Sequence, residues 1–220
     1  MRARLTAAGL LLLFVYASVR LELDPMRFAA GVPKLAWLAR HMLPPDPGES
    51  LPEFLNGIAE TAAMAFAATL IASLLALPLS LLAARTVTPW RPLRFAVRRV
   101  LDTLRGVDTL IWALVFVSAV GMGPFAGVMA LICLDTAVLA KLFSEAIEAA
   151  DRKPVEGIAA TGGNRLCEVR FGILPQVFPL FLSQTLYHFE SNTRSATILG
   201  IVGAGGIGTI LADRMRVNDW

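Results

Sequence analysis

The sequence predicts an all-α protein of the polytopic membrane class, a bundle of about five spanning helices. Three observations predict it: 56% of the 220 residues are hydrophobic, only 17% are charged, and the apolar residues form long runs. Soluble domains carry about 25% charged residues, so this composition argues against a soluble enzyme, a disordered chain and a nucleic-acid-binding protein. The net charge of +3 comes from arginines between the apolar runs.

The amino-terminal region predicts a membrane anchor helix over residues 1–20. An apolar run over residues 5–19 follows Arg2 and Arg4, which is typical of a segment whose start stays in the cytoplasm. The run is short for a spanning helix and also fits the apolar part of a signal peptide. The sequence around Ser18 makes a weak cleavage site, which favours a retained anchor.

Residues 21–53 are predicted to form an external loop, because six prolines interrupt them. Within this loop, residues 34–42 are amphipathic and include Trp37. Tryptophan is enriched at the boundary between lipid and water, so this stretch is predicted to lie as a helix along the membrane interface.

Four further apolar runs make up a predicted transmembrane core over residues 54–212. They cover residues 55–84, 107–120, 125–142 and 175–189. The predicted cytoplasmic segments are the amino-terminal start, an arginine-rich loop over residues 85–105 and a second charged segment over residues 141–170. Thirteen of the 20 Lys and Arg residues fall in these segments and seven in the external ones. This excess orients the chain with its amino terminus in the cytoplasm and its carboxyl end outside after five crossings.

The second predicted cytoplasmic segment contains a helical hairpin. Val155, Ile158 and Ala159 share one helix face at the spacing i, i+3, i+4, and the pair Gly162-Gly163 ends that helix. A second helical turn then leads back to the membrane at Pro175. The hairpin therefore projects from the membrane on the cytoplasmic side, where a partner protein can reach it.

This hairpin carries a family resemblance. Glu156 is followed by Gly162 six residues later and by Leu174 and Pro175 twelve residues after that. The spacing resembles the EAA loop of ABC-importer permeases, although the general family has Glu-Ala-Ala where this chain has Glu156-Gly157-Ile158.

A wider set of motifs resembles the phosphonate-type permeases, over about residues 50–212. The motifs lie in order at residues 121–148, 160–162, 172–177 and 194–208. The resemblance implies a helical bundle of the MetI-like permease type, placed as a multi-pass protein in the bacterial inner membrane. The family has a further spanning helix after the last motif, whereas this chain ends in a polar tail over residues 213–220. We therefore expect a chain truncated before a final span.

The resemblance also implies a function, that of a permease subunit moving phosphonate, phosphite or a phosphate ester. Such a subunit is not an enzyme and holds no cofactor, because ATP hydrolysis resides on a partner. The implied partners are an ABC ATPase subunit, a periplasmic phosphonate-binding protein, a second permease copy forming a homodimer, and membrane lipid. In the family the loop corresponding to residues 145–170 forms coupling helices that dock into the ATPase. The implied coupling residues are Glu156, Ala160, Gly162, Leu174 and Pro175.

Other functions remain open at this stage. Methionine and osmoprotectant permeases share the coupling loop, and an ATP-independent secondary carrier would use intramembrane charges. A membrane enzyme is disfavoured, because the sequence has no Ser/His/Asp set, no metal-ligand spacing and no credible nucleotide loop. Cys133 and Cys167 lie in unlike surroundings, which argues against a disulfide, and structural roles are favoured for His41 and His188.

Polar residues near the end of the last apolar run are candidates for a substrate pathway. Hydroxyls and a guanidinium suit the headgroup of a phosphorus oxyanion, and a conduit needs only a weak site. The alternative is a salt bridge between Glu190 and Arg194, which are four residues apart on a helix. The candidate pathway residues are Ser191, Asn192, Thr193, Arg194 and Ser195.

Two further features of the core have predicted structural roles. Asp135 interrupts an apolar run, so burial against another helix, paired or protonated, is expected. Residues 203–208 also satisfy the pattern G-x-G-x-x-G, but the chain ends too soon for a dinucleotide fold. Close backbone packing or a helix break is predicted instead for Gly203, Gly205, Gly206 and Gly208.

Overall fold

A computed structural model describes residues 2–21, 25–41 and 50–217. The described residues form helices joined by short turns, with no strand among them. The chain divides into two compact units, one over Met1–Gly48 and one over Glu49–Asp219. The all-α prediction is confirmed for the described residues.

The first unit contains two helices. Helix α1 spans Arg2–Arg20 and coincides with the predicted anchor, and helix α2 spans Pro25–His41 and includes most of the predicted interfacial segment. Trp37 on α2 is exposed. Residues 42–49, at the end of the predicted external loop, lie outside the described residues. The membrane positions of both helices stay predictions.

The second unit contains the remaining described helices, which follow one another in the sequence with short connections. In order they are α3 (Leu51–Ala83), α4 (Arg91–Arg105), α5 (Thr109–Val120), α6 (Pro124–Ala149), α7 (Arg152–Ala160), α8 (Arg165–Cys167), a π-helical segment (Glu168–Ile173), α9 (Leu174–Gly200) and α10 (Ile207–Val217). Helix α10 thus includes residues 213–217 of the predicted tail, and residues 218–220 lie outside the described part.

Helices α3, α6 and α9 pack against one another and form the core. The face of α3 toward α6 is lined by small buried residues, including Ala65, Ala68, Ala72 and Ala76. Small side chains let two helix backbones approach closely, which is the usual route to tight packing in membranes. Larger side chains fill the core near the end of α6 and the start of α9, where Phe143 of α6 stacks on Phe181 of α9 with ring centroids 4.1 Å apart.

By length and composition, three helical stretches of the described residues can cross a membrane: Leu51–Ala83, Pro124–Ala149 and Arg165–Gly200. Helices α4 and α5 would make a fourth span if counted together, but they meet at 87°. Helix α5 has 12 residues, a length of about 18 Å against a hydrocarbon core of about 30 Å. The predicted span over residues 107–120 is therefore shorter than a full crossing.

Two predicted element boundaries differ from the structure. The arginine-rich segment over residues 85–105 contains helix α4, because Leu101 is buried and Val97 and Leu104 pack on the core at helical spacing. The predicted span over residues 175–189 and the polar and apolar residues after it form one helix, α9, which continues through Pro179.

Candidate coupling loop and intramembrane polar cluster

Helix α7 begins and ends at residues that suit those positions. The side chain of Asp151 caps its start by accepting a hydrogen bond from the backbone N–H of Lys153 at 3.1 Å. At its end Gly162 has φ of +81°, a left-handed conformation that favours glycine. The predicted helix–glycine–helix hairpin is confirmed. Its inward face consists of Val155 and Ile158, whereas Ala159 is exposed.

The return path to the membrane packs closely on α7. Asn164 caps the short helix α8 by accepting from the backbone N–H of Cys167 at 3.0 Å. In the π-helical segment, a Cβ added at Gly172 would lie 3.2 Å from the Cα of Val155, so the two backbones nearly touch. Leu166 and Phe171 remain exposed on the outside of the hairpin.

The predicted coupling residues occupy the outer side of this hairpin and its junction with α9. Glu156, Ala160, Gly162 and Pro175 are exposed, and Leu174 is half-buried. Among the described residues, Glu156 makes no ion pair. It lines a cavity of ≈ 370 Å³ together with Val155, Glu168 and Ile173. Apart from Leu174, the predicted coupling residues are accessible at the surface.

Polar contacts join the ends of α3, α4 and α6 to one another and the start of the hairpin to α9. Glu148 near the end of α6 accepts hydrogen bonds from Nη2 of Arg98 on α4 and from the backbone N–H of Arg85 just after α3, the latter at 2.6 Å. Gln176 on α9 accepts from the N–H of Asp151 at 3.1 Å and donates to the carbonyl oxygen of Asp151 at 3.2 Å. The start of α7 is thus hydrogen-bonded to α9, and the end of α6 that precedes it is fixed to α4 and to the residue after α3.

A second ion pair fixes α4 to α6. Lys141 Nζ lies 3.0 Å from Asp102 Oδ1, and Arg99 Nη1 lies 3.7 Å from Asp102 Oδ2. The hydrogen bond from Lys141 holds the pKa of Asp102 below its ordinary value.

A buried polar cluster joins α3, α6 and α9 inside the core. Asp135 of α6 is 4% exposed and lies 3.1 Å from Nδ1 of His188. The amide nitrogen of Asn192 donates to the other oxygen of Asp135 and to Oγ1 of Thr69, the latter at 2.9 Å. The predicted burial and pairing of Asp135 is confirmed. The tertiary structure alone places His188 beside it.

The five candidate pathway residues lie on different sides of α9. Asn192 is buried in the polar cluster, and the hydroxyl of Thr193 donates to its own helix at the carbonyl of Phe189. Arg194 is exposed and pairs with Glu190 at 2.9 Å, as the alternative predicted. Ser191 and Ser195 are half-buried and share one side of the helix.

The glycine-rich segment allows α10 to pack on α9 and α3. Gly203, Gly205 and Gly206 all have positive φ. A Cβ on Gly208 would collide with the carbonyl oxygen of Thr197, so only glycine allows this approach. The backbone N–H of Ile207 donates to Thr61 of α3 at 2.9 Å. The described residues contain no group of three or more His, Cys, Asp or Glu side chains that could hold a metal ion.

Helices long and apolar enough to cross a membrane, an exposed hairpin at their ends and a polar cluster between them define a membrane permease subunit. Residues 76–219 match the family described as the binding-protein-dependent transport system inner membrane component. The chain belongs to this family. It is an inner-membrane permease component of an ABC importer, and it works with an ATPase subunit and a solute-binding protein.

Similar proteins support this assignment. The permease protein HtxC of Stutzerimonas stutzeri is 40% identical over 215 residues, covering 98% of this chain and 76% of HtxC. The phosphite transport system permease protein PtxC of the same organism is 39% identical, covering 90% of this chain and 72% of PtxC. The phosphate-import permease protein PhnE of Mycolicibacterium smegmatis is 37% identical, covering 92% of this chain and 38% of PhnE.

Solved structures share the fold. An inward-facing structure of the MetNI methionine ABC transporter aligns with a TM-score of 0.67 at 21% identity, covering 76% of this chain and 82% of that one. An amino acid ABC transporter aligns with a TM-score of 0.65 at 23% identity, covering 77% of this chain and 80% of that one. The fold class of an ABC-importer permease is thereby confirmed.

Proposed function

We propose that this permease subunit moves a phosphorus oxyanion, namely phosphonate, phosphite or a phosphate ester, across the inner membrane. The observation that carries the proposal is its 39% identity to the phosphite permease PtxC over 90% of this chain. The chemistry of α9 agrees with it, because Ser191, Ser195 and the exposed Arg194 offer hydroxyl and guanidinium donors to an oxyanion. The competing hypotheses are a permease for methionine or an osmoprotectant, and an ATP-independent secondary carrier.

The proposed coupling surface is the outer side of the hairpin. Glu156, Ala160 and Gly162 contact the ATPase there, and Leu174 and Pro175 carry the motion into α9. The exposed Leu166 and Phe171 support this role, because exposed apolar side chains on a cytoplasmic projection suit a protein groove. The hydrogen bonds of Gln176 to Asp151 support transmission from α7 to α9.

We propose that a second permease copy and membrane lipid cover the exposed faces of this subunit. Helix α9 belongs to the least apolar and least buried of the three candidate spans, which supports a homodimer that covers it. Helix α4 meets α5 at 87°, and Phe95 and Arg99 on α4 and Trp90 just before it are exposed. Aromatic and basic side chains in this arrangement suit a helix lying on anionic lipid at the cytoplasmic face.

Uptake assays with the assembled transporter test the substrate. Labelled phosphite is supplied to proteoliposomes that contain the permease, its ATPase and its binding protein. Excess phosphonate is expected to compete, and methionine or betaine is expected to have no effect. Uptake inhibited by methionine, or uptake without the ATPase, would replace the proposal with one of its competitors.

Gly162→Val tests coupling. Valine at φ of +81° is strained by about 1–3 kcal/mol, so the hairpin must change shape even though a Cβ at this position meets nothing within 4 Å. We expect the variant transporter to hydrolyse ATP without taking up solute, while the amount of permease in the membrane stays unchanged. Gly157→Ala is the matched control, since a Cβ there also meets nothing within 4 Å and Gly157 lies within a helix. Normal uptake by Gly162→Val would contradict the coupling role.

A further inference from the structure

A line of polar side chains runs along the edge of α9. Gln184, His188, Ser191 and Ser195 follow one another at i, i+4, i+7 and i+11, a spacing that places them on one side of a helix, and all four are half-buried. Leu182 and Leu186 are exposed elsewhere on the helix. Polar side chains in a span usually face a water-filled path or a partner, because exposure to lipid is costly. We call these four residues the polar line of α9.

His188 is the titratable member of this line, and its orientation is set by the core. Its Nδ1 lies 3.1 Å from Asp135, whose other oxygen accepts from Asn192. Among the described residues, no Lys or Arg forms an ion pair with Asp135. A carboxylate buried in a span is unstable without a cation, and a protonated His188 supplies that charge.

The second ring nitrogen of His188 is available to a ligand. Within the described residues, Nε2 has no hydrogen-bond partner, and 13% of the side chain is exposed. A carboxylate that holds one nitrogen of an imidazole fixes the direction in which the other nitrogen points. One ring nitrogen of His188 therefore contacts Asp135 in the core, and the other is available to a ligand at the edge of α9.

We propose that His188, oriented by Asp135, donates a hydrogen bond from Nε2 to the transported oxyanion as it passes the polar line of α9. This inference rests on the proposed function and deepens it by naming a residue that determines specificity. The anionic oxygens of the solute only accept hydrogen bonds, so Nε2 must carry a proton to bind one of them, and with Nδ1 donating to Asp135 the ring is then an imidazolium. A single contact of this kind is weak enough to let the solute leave.

The pH dependence of transport follows from the groups around His188. On the elements packed against it, α6 contributes the carboxylate of Asp135 and α3 contributes the neutral Thr69, while α5 has no titratable side chain within Thr109–Val120. On α9 itself the neighbouring Tyr187 ring lies edge-on to the imidazole. Loss of the imidazolium proton removes the Nε2 donor, so affinity for the oxyanion falls as pH rises.

The experiment measures the KM for phosphite uptake in the complete proteoliposome system between about pH 5 and 8, the range in which histidine titrates. His188→Asn is the main variant, because its amide can replace Nδ1 as the donor to Asp135 while nothing replaces Nε2. We expect its KM at low pH to exceed that of the unsubstituted protein by about tenfold, the effect of one charge-assisted hydrogen bond. The ratio of the two KM values should fall toward one as pH rises.

His188→Gln is the second variant and keeps a neutral polar group near the position of Nε2. At low pH its KM should lie below that of His188→Asn. The ratio of its KM to that of the unsubstituted protein should also fall toward one as pH rises. Comparing both proteins at each pH cancels the ionisation of phosphite itself. ATPase stimulation by the binding protein should stay normal in both variants, which separates solute recognition from assembly.

The outcomes distinguish the two proposals. If the unsubstituted transporter takes up neither phosphite nor phosphonate, the proposed function fails. If it takes up phosphite, but the His188→Asn transporter reaches the membrane and keeps the same KM at every pH, the role of His188 is overturned. A KM ratio that is raised equally at all pH values also overturns it, because a purely structural histidine would produce that result.

Discussion

Helices α6 and α9 lie on either side of the coupling hairpin, yet they differ in composition and burial. The most apolar part of α6 is 50% buried, whereas the stretch containing α9 is less apolar and its most apolar part is only 22% buried. The more polar span is thus the one that its own chain covers less. This combination is unfavourable in lipid, which supports the proposal that α9 meets a second copy and the solute path.

Phenylalanine substitutions should show the largest difference between the two helices. Phe143 of α6 is 1% exposed and stacks on Phe181, so Phe143→Ala is expected to destabilise the protein by about 3–5 kcal/mol. Phe178→Ala on α9 is the matched control, because Phe178 is 60% exposed, and its effect should stay within about 0.5 kcal/mol. Unfolding of the purified permease in detergent measures both. Equal losses would mean that α9 is as closely packed as α6.

The ion pair at the end of α6 should give the intermediate effect. Arg98 and Glu148 have side chains 31% and 23% exposed, and their coupling in a double-mutant cycle is expected to be about 1–3 kcal/mol. Arg98→Ala and Glu148→Ala should each also reduce uptake, because the pair links α4 to the start of the hairpin. If the two single substitutions changed the free energy of unfolding additively in the same assay, the Arg98–Glu148 pair would make no contribution to stability.

The ion pair on α9 should have the smallest effect on stability. Arg194 and Glu190 have side chains 69% and 63% exposed, and such pairs contribute at most about 0.5 kcal/mol. Arg194→Ala should nevertheless raise the KM for phosphite, since α9 is proposed to line the path. A variant with unchanged KM and unchanged stability would leave Arg194 with neither role.

The comparison also shows which parts of the site were predictable from the sequence. The hairpin of residues 152–173 could be predicted because its signals are local: a capping Asp151, apolar side chains at helical spacing and Gly162 at the end. The burial and pairing of Asp135 could be predicted, since a carboxylate in an apolar run needs a polar or charged partner. The identity of that partner could not be predicted, because His188 is 53 residues away in the sequence.

The same reasoning explains the two errors in helix boundaries. Six arginines between residues 85 and 105 indicated a cytoplasmic segment, but charge alone does not distinguish a loop from an amphipathic helix such as α4. The polar residues 190–195 suggested the end of a span, yet they continue α9, because Asn192 is buried against α3 and α6.

Hydropathy and local capping signals in the sequence were sufficient to predict an all-α membrane protein, its long helices and its hairpin, because these depend on each segment's own preference for lipid or water. The 87° bend between α4 and α5, the close approach of Gly208 to α9 and the cluster of Thr69, Asp135, His188 and Asn192 depended on packing. They arise from contacts between residues distant in the chain, and no local pattern specifies which of those residues meet.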